Sequence, residues 1–118
     1  MVLIYPALIM TDDANELFQS ADQIPESYSF MGMTVGRSYF EVLMDYDIYD
    51  AITLYDRDVL IIHGDADTIA PISYSEHAIE VYPSAELKVV PGARHGFGSE
   101  GAQQAIEWAL EYLPNHRI

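Results

Sequence analysis

The sequence predicts an α/β fold: three parallel strands with flanking helices, interrupted by a long insertion. Three observations carry this. Apolar runs rich in β-branched residues recur at 2–5, 59–62 and 86–90. Helix-compatible stretches follow the second and third runs, which is the spacing of right-handed crossovers between parallel strands. Each of those two runs also opens into a turn-rich loop that carries polar, chemistry-bearing side chains at its start.

Taken in order, Val2-Leu3-Ile4-Tyr5 reads as a buried strand ended by Pro6. Residues 8 to about 56 form a long excursion with no continuous strand signal. Asp12 or Asp13 is placed to cap a short helix through Gln19, and Pro25, Gly32 and Gly36 mark turns. Ser27–Met31 is a weak strand candidate. From Ser38 to Asp45, Tyr39, Phe40, Leu43 and Met44 fall on one helical stripe, and Ile48, Ile52 and Leu54 continue as a second helix. Residues 59–62 are the next strand. Residues 73–82 are a helix, with Ser73 at the cap and Glu76 at capping-box spacing. Residues 86–90 are the third strand. Gly101 to Leu113 is an amphipathic helix with Ala105, Ile106, Ala109, Leu110 and Leu113 on its apolar face, stopped by Pro114. The insertion is thus expected at about 8–56, and a second part at about 57–118.

Composition narrows the function classes. At 118 residues the chain is one small domain or part of a larger one. It has no cysteine, which excludes disulfides and thiolate chemistry. A formal net charge of −14 argues against nucleic acid, whose affinity rests on cationic contacts to phosphate. The apolar opening Met1–Met10 lacks a basic flank, is too short to span a bilayer and meets Asp12 and Asp13 at once, so no membrane partner and a cytoplasmic location are expected. Asp45, Asp47 and Asp50 lack the glycine turn and distal Glu of a calcium loop, and no two histidines sit at i, i+4 on one helix. No metal and no cofactor are expected.

The candidate chemistry lies in two segments, His63-Gly64-Asp65-Ala66-Asp67-Thr68-Ile69-Ala70-Pro71 and Pro91-Gly92-Ala93-Arg94-His95-Gly96-Phe97. They place an acid and an imidazole at the carboxyl ends of two successive strands, where open α/β sheets carry their sites. One loop, one helix and one short strand account for the separation of Asp67 from His95. Asp65 is the rival acid, a residue that can instead cap the turn after Gly64. Gly92, Gly96 and Gly98 suggest a loop shaped for close approach. His63 is expected to end its strand and support the turn, while His77 and His116 are expected to be solvated.

These motifs resemble the acid and histidine segments of the serine α/β-hydrolases, specifically the carboxyl-terminal half of the cinnamoyl/feruloyl esterase-like group. The resemblance runs from Val2 to Leu113. It is carried by Val2–Ala7, Ile24-Pro25, Thr34-Val35-Gly36, Ile48–Ile52 and the two segments above. It implies a partial α/β-hydrolase fold in which Asp67 is the triad acid, His95 the general base and residues 8–56 a lid-like cap over an acyl or aromatic pocket. It favours Asp67 over Asp65, because the family motif His-Gly-x-x-Asp-x-x-x-Pro puts its acid there. It also implies a carboxylic ester as substrate of the complete enzyme. Asp58 departs from the family, which places proline before this strand.

The larger departure is the nucleophile. Gly-x-Ser-x-Gly is absent, and the nearest match is Gly32-Met33-Thr34-Val35-Gly36, with Thr34 in the serine's place. The chain is therefore expected to carry a triad acid and histidine without a serine or an oxyanion hole, and to be inactive alone. A non-catalytic, self-associating fragment and a peptidase or lactone hydrolase on the same scaffold are the alternatives. The outer edge of the strand at 2–5 has no partner in this sequence, which predicts a homodimer through that edge or a swapped cap that covers it.

Overall fold

The computed structural model describes residues 1–30 and 32–116. It divides into two compact units, one of residues 1–8 and 48–118, the other of residues 9–47.

The larger unit holds a three-stranded parallel sheet. Strand β1 (Val2–Ile4) pairs with β4 (Val59–Gly64), which pairs on its other side with β5 (Ala85–Val90). The register sets Val2 beside Leu60 and Ile4 beside Ile62, then Leu60 beside Glu86 and His63 beside Val89. Every residue of β4 is buried, as a central strand covered on both faces must be. The pleat divides its side chains. Leu60 and Ile62 pack with Val90, Phe97, Ala105 and Tyr112 beneath helix α5 (Gly98–Tyr112). Val59 and Ile61 pack with Ile52, Ala78 and Tyr82 beneath helices α3 (Ile48–Ile52) and α4 (Ile72–Val81). This is the predicted α/β architecture, three parallel strands with helices on both faces. Ile61→Ala is expected to cost about 3 kcal/mol, read as a lowered urea midpoint at unchanged slope.

The smaller unit departs from the helical insertion expected, and its weak strand candidate at 27–31 is met by a strand over Ser27–Phe30. Between α1 (Met10–Leu17) and α2 (Arg37–Met44) runs an antiparallel hairpin of β2 (Ser27–Phe30) and β3 (Met33–Gly36). Gly32 at its turn has φ 78°, a conformation that strains any other residue. Gly36, expected at a turn, instead ends β3 and precedes α2. Ala14, Phe18, Ile24 and Phe40 form the core, with the Phe18 ring edge-on to Phe40 at 5.2 Å and to Tyr28 at 5.3 Å. Arg37 donates to the carbonyls of Ile24 and Ala21, each at 2.8 Å, and pairs with Glu41. Residues 48–56, expected within the insertion, belong to the sheet unit. Met31, the last residue of the weak strand candidate, lies outside the described residues.

Several local expectations are corrected. Helix α1 starts at Met10, so Asp12 and Asp13 lie in its first turn instead of capping it. Ser73 makes no cap bond; Pro71 occupies that position with φ −57°, already close to the helical value. His116 is not simply solvated: its ring stacks on Tyr112 at 3.7 Å, and its Nδ1 lies 2.8 Å from Asp58 Oδ2. That hydrogen bond, with a second from Ser84, holds the Asp58 carboxyl below its ordinary range. His77 does stand half in solvent, edge-on to Tyr49 at 4.2 Å.

Candidate active site

The site is assembled by the loops that leave β4 and β5 at their carboxyl ends. Gly64 closes β4 where the two loops converge: a Cβ placed there would lie 2.2 Å from the carbonyl oxygen of Ala93. That close approach lets two hydrogen bonds lace the loops. Ala66 N–H donates to Ala93 O at 3.0 Å, and Gly92 N–H donates to Asp65 Oδ1 at 2.6 Å. Asp65, the rival acid, is therefore a strap between loops, on the surface and bonded to backbone instead of to an imidazole.

Asp67 sits inside this junction with its side chain fully enclosed. Its Oδ1 accepts the N–H groups of Ala70 at 2.8 Å and Ile69 at 3.0 Å. Its Oδ2 lies 2.8 Å from His95 Nδ1 and 3.2 Å from His63 Nε2. Burial by itself raises the carboxyl's pKa. The hydrogen bonds from Ala70, His95 and Ile69, with the charge of His95, outweigh it and leave the group below its ordinary value. Asp67 is thus a buried carboxylate whose oxygens both face donors.

His63 is wholly buried. Its Nε2 lies 2.6 Å from Ala70 O, an acceptor only, so Nε2 carries the proton. Nδ1 lies 2.7 Å from the Ser75 hydroxyl. This ring ties β4, the Asp67 loop and α4 together, the supporting part expected for it. It also holds Ala70, whose N–H binds Asp67.

His95 lies at the rim with its side chain about a third exposed. With Nδ1 turned to Asp67, Nε2 is the nitrogen left for chemistry on a bound molecule. Gly92, Gly96 and Gly98 all have positive φ, which gives this loop the sharp path expected from its composition. One contributor was not foreseen. Tyr5 leaves β1 with φ 34°, and its ring sits edge-on to His95 at 4.4 Å and to Phe97 at 4.8 Å. A strained non-glycine backbone at a site is a recurrent sign of function. Its only trace in the sequence is an aromatic residue before Pro6.

Thr34 belongs to the smaller unit, where it faces solvent from β3, paired with Ser29 in an ordinary ladder. It occupies no strand-to-helix elbow. Among the described residues no group of three or more His, Asp or Glu is placed to hold a metal ion, and no helix is long and apolar enough to cross a membrane.

No family model matches the chain. A non-heme haloperoxidase of Rhodococcus erythropolis is 45% identical over 68 residues, 57% of this chain and 25% of that protein. A protein described as a putative carbamate hydrolase, RutD of Caulobacter sp. (strain K31), is 27% identical over 96 residues, 81% of this chain and 35% of that one. Among solved structures, Est1E of Butyrivibrio proteoclasticus with bound ferulic acid superposes with a TM-score of 0.79 at 23% identity, over 96% of this chain and 49% of its own. The chain thus spans a quarter to a third of the curated relatives and about half of Est1E. In fold the chain matches the carboxyl-terminal part of an α/β-hydrolase, and in sequence it is similar to the proteins named above.

Proposed function

We propose that this chain supplies the acid and the general base of a serine-esterase-like site whose nucleophile lies on polypeptide outside these 118 residues. The observation that carries the reading is the hydrogen bond between the enclosed Asp67 carboxylate and His95 Nδ1. Asp67 fixes the ring's tautomer and stabilises the imidazolium, while Nε2 takes a proton from an attacking hydroxyl and returns it to the leaving alcohol. The substrate class is a carboxylic ester. The Est1E structure, with its bound ferulic acid, makes hydroxycinnamoyl esters the first to try.

Alone, the pair has neither nucleophile nor oxyanion donors, and general-base help contributes at most about 10²–10⁴-fold. The purified chain is therefore expected to hydrolyse p-nitrophenyl acetate no faster than an equal concentration of free imidazole, without saturation. Saturable turnover blocked by a fluorophosphonate would show a nucleophile within the chain and refute this division of labour. The positive test is the DNA upstream of Met1. An in-frame Gly-x-Ser-x-Gly is expected, and the longer product should hydrolyse methyl ferulate and lose that activity with His95→Ala. A stop codon next to a ribosome-binding site would favour a non-catalytic fragment.

A further inference from the structure

Among the described residues only two other than glycine stand on a backbone with positive φ, Tyr5 at 34° and Phe97 at 66°. In that region the Cβ crowds a carbonyl oxygen, so an aromatic residue stays there only where its surroundings hold it. Both are held. Tyr5 N–H donates to Ile62 O at 2.8 Å, which ties the chain leaving β1 to the end of β4. Phe97 N–H donates to Arg94 O at 2.9 Å and closes the turn that carries His95. The two strained residues come from distant segments, yet their rings meet edge-on at 4.8 Å. The Tyr5 ring goes on to meet His95 at 4.4 Å.

A mechanical need accounts for this placement. The Asp67 carboxylate holds His95 at one atom, Nδ1. A ring held at one atom can still pivot there and swing Nε2 out of line. Stopping that motion takes a second contact away from Nδ1, and an aromatic ring edge-on to the imidazole supplies one. Phe97 is itself fixed: it is buried in the core beneath α5, with Gly101 too close to its Cβ for a methyl group to stand between them. Tyr5 is therefore braced by a core residue on one side and packs on the other against a side chain about a third exposed.

We propose that Tyr5, backed by Phe97, is a positioning residue for His95: the two strained backbones place the rings that stop the imidazole from pivoting on Asp67. The proposal rests on His95 as the general base and adds that the aim of its Nε2 is set from two sides, by the carboxylate and by the Tyr5 ring.

The test uses the 118-residue chain with its histidines labelled with ¹⁵N. In alkaline buffer the ring-nitrogen shifts of a neutral imidazole give the ratio of its Nδ1–H and Nε2–H tautomers, and His95→Gln identifies the signals. The parent should be mainly Nδ1–H, the form that donates to Asp67. Glycine is at ease at φ 34°, so Tyr5→Gly should keep the circular dichroism of the parent. Its tautomer ratio at His95 should nevertheless fall at least about threefold, as the loss of an edge-on ring contact of ordinary strength requires. Tyr5→Phe keeps the ring and should match the parent. Should Tyr5→Gly fail to fold, Tyr5→Leu keeps apolar bulk without a flat ring, and the same fall is expected. An unchanged ratio in the folded glycine or leucine variant would overturn the proposal. An equal fall in Tyr5→Phe would do so too, because the hold would then belong to the hydroxyl. A parent that is mainly Nε2–H would refute the Asp67–His95 pair and the proposal with it. The readout is the His95 ring in this chain alone, so a failure confined to the Tyr5 variants leaves the proposed function standing, and methyl ferulate hydrolysis by the longer product decides that separately.

Discussion

Replacing Gly64 with alanine is expected to destabilise the fold by more than about 4 kcal/mol and to pull the Asp67–His95 pair apart. The new methyl group would meet Ala93 at its carbonyl oxygen, its carbonyl carbon at 2.7 Å and its Cβ at 2.8 Å. Most of these are backbone atoms and cannot swing away. Relief requires the Pro91–Phe97 loop to move from the end of β4. The move would break the Ala66-to-Ala93 and Gly92-to-Asp65 hydrogen bonds. Because Asp67 and His95 stand on the two loops so joined, stability and site geometry should fail together. Gly36→Ala is the control. Its φ of −75° suits alanine and nothing lies within 4 Å of the added Cβ, so it should be neutral or stabilising by up to about 1 kcal/mol. Urea unfolding of both variants decides it, and a Gly64→Ala loss under about 1 kcal/mol would mean that the loop junction is soft.

The sheet was legible because its signal is dense: β4 is apolar at nearly every position, and only a strand buried on both faces tolerates that. The acid and histidine loops were legible from turn residues at strand ends. Where reading failed, a tertiary contact overrode the local pattern. On α5 the apolar stripe nominates Ala105, Ile106, Ala109, Leu110 and Leu113; Ala105 does meet the sheet, but it does so beside Gly101, while Ile106 and Leu110 stand exposed. Small residues let the helix come close: a Cβ on Gly101 would lie 2.8 Å from Phe97 Cβ and 3.3 Å from Val90. Of the hairpin only the first strand was read, and weakly, because Ser27–Phe30 and Met33–Gly36 are each only four residues long. His116 was read from its place near the end of the chain, and nothing local announces Asp58, 58 positions away. Of the site, Asp67 and His95 were named as a pair. The support from Tyr5 and Ser75 depends on distant segments brought together by the sheet.

Asp67→Asn is expected to cost about 2–4 kcal/mol near neutral pH, and progressively less as the solution is acidified. The carboxylate faces two backbone N–H groups on Oδ1, with His95 Nδ1 and the protonated His63 Nε2 around Oδ2. An asparagine offers one carbonyl oxygen to this set and turns an NH₂ toward the remaining donors. At least one donor pair then confronts another in a site without water access, whichever way the amide is flipped. The sign of the pH dependence follows from the direction of the Asp67 shift. Its folded carboxyl ionises below its ordinary value, so the stabilisation is complete above the unfolded value of about 3.9. It is lost as the pH falls through the lower, folded value. The substituted amide does not titrate, so the variant's unfolding free energy should lack this part of the acid slope. Asp58, also shifted downward, is common to both proteins and cancels in the difference. Urea titrations of both proteins at steps from pH 7 to pH 3 measure that difference directly. A gap that is constant down to about pH 4 and narrows toward pH 3 supports a charged, hydrogen-bonded Asp67 holding His95, whereas a gap independent of pH would mean that the carboxylate's charge does nothing for the fold.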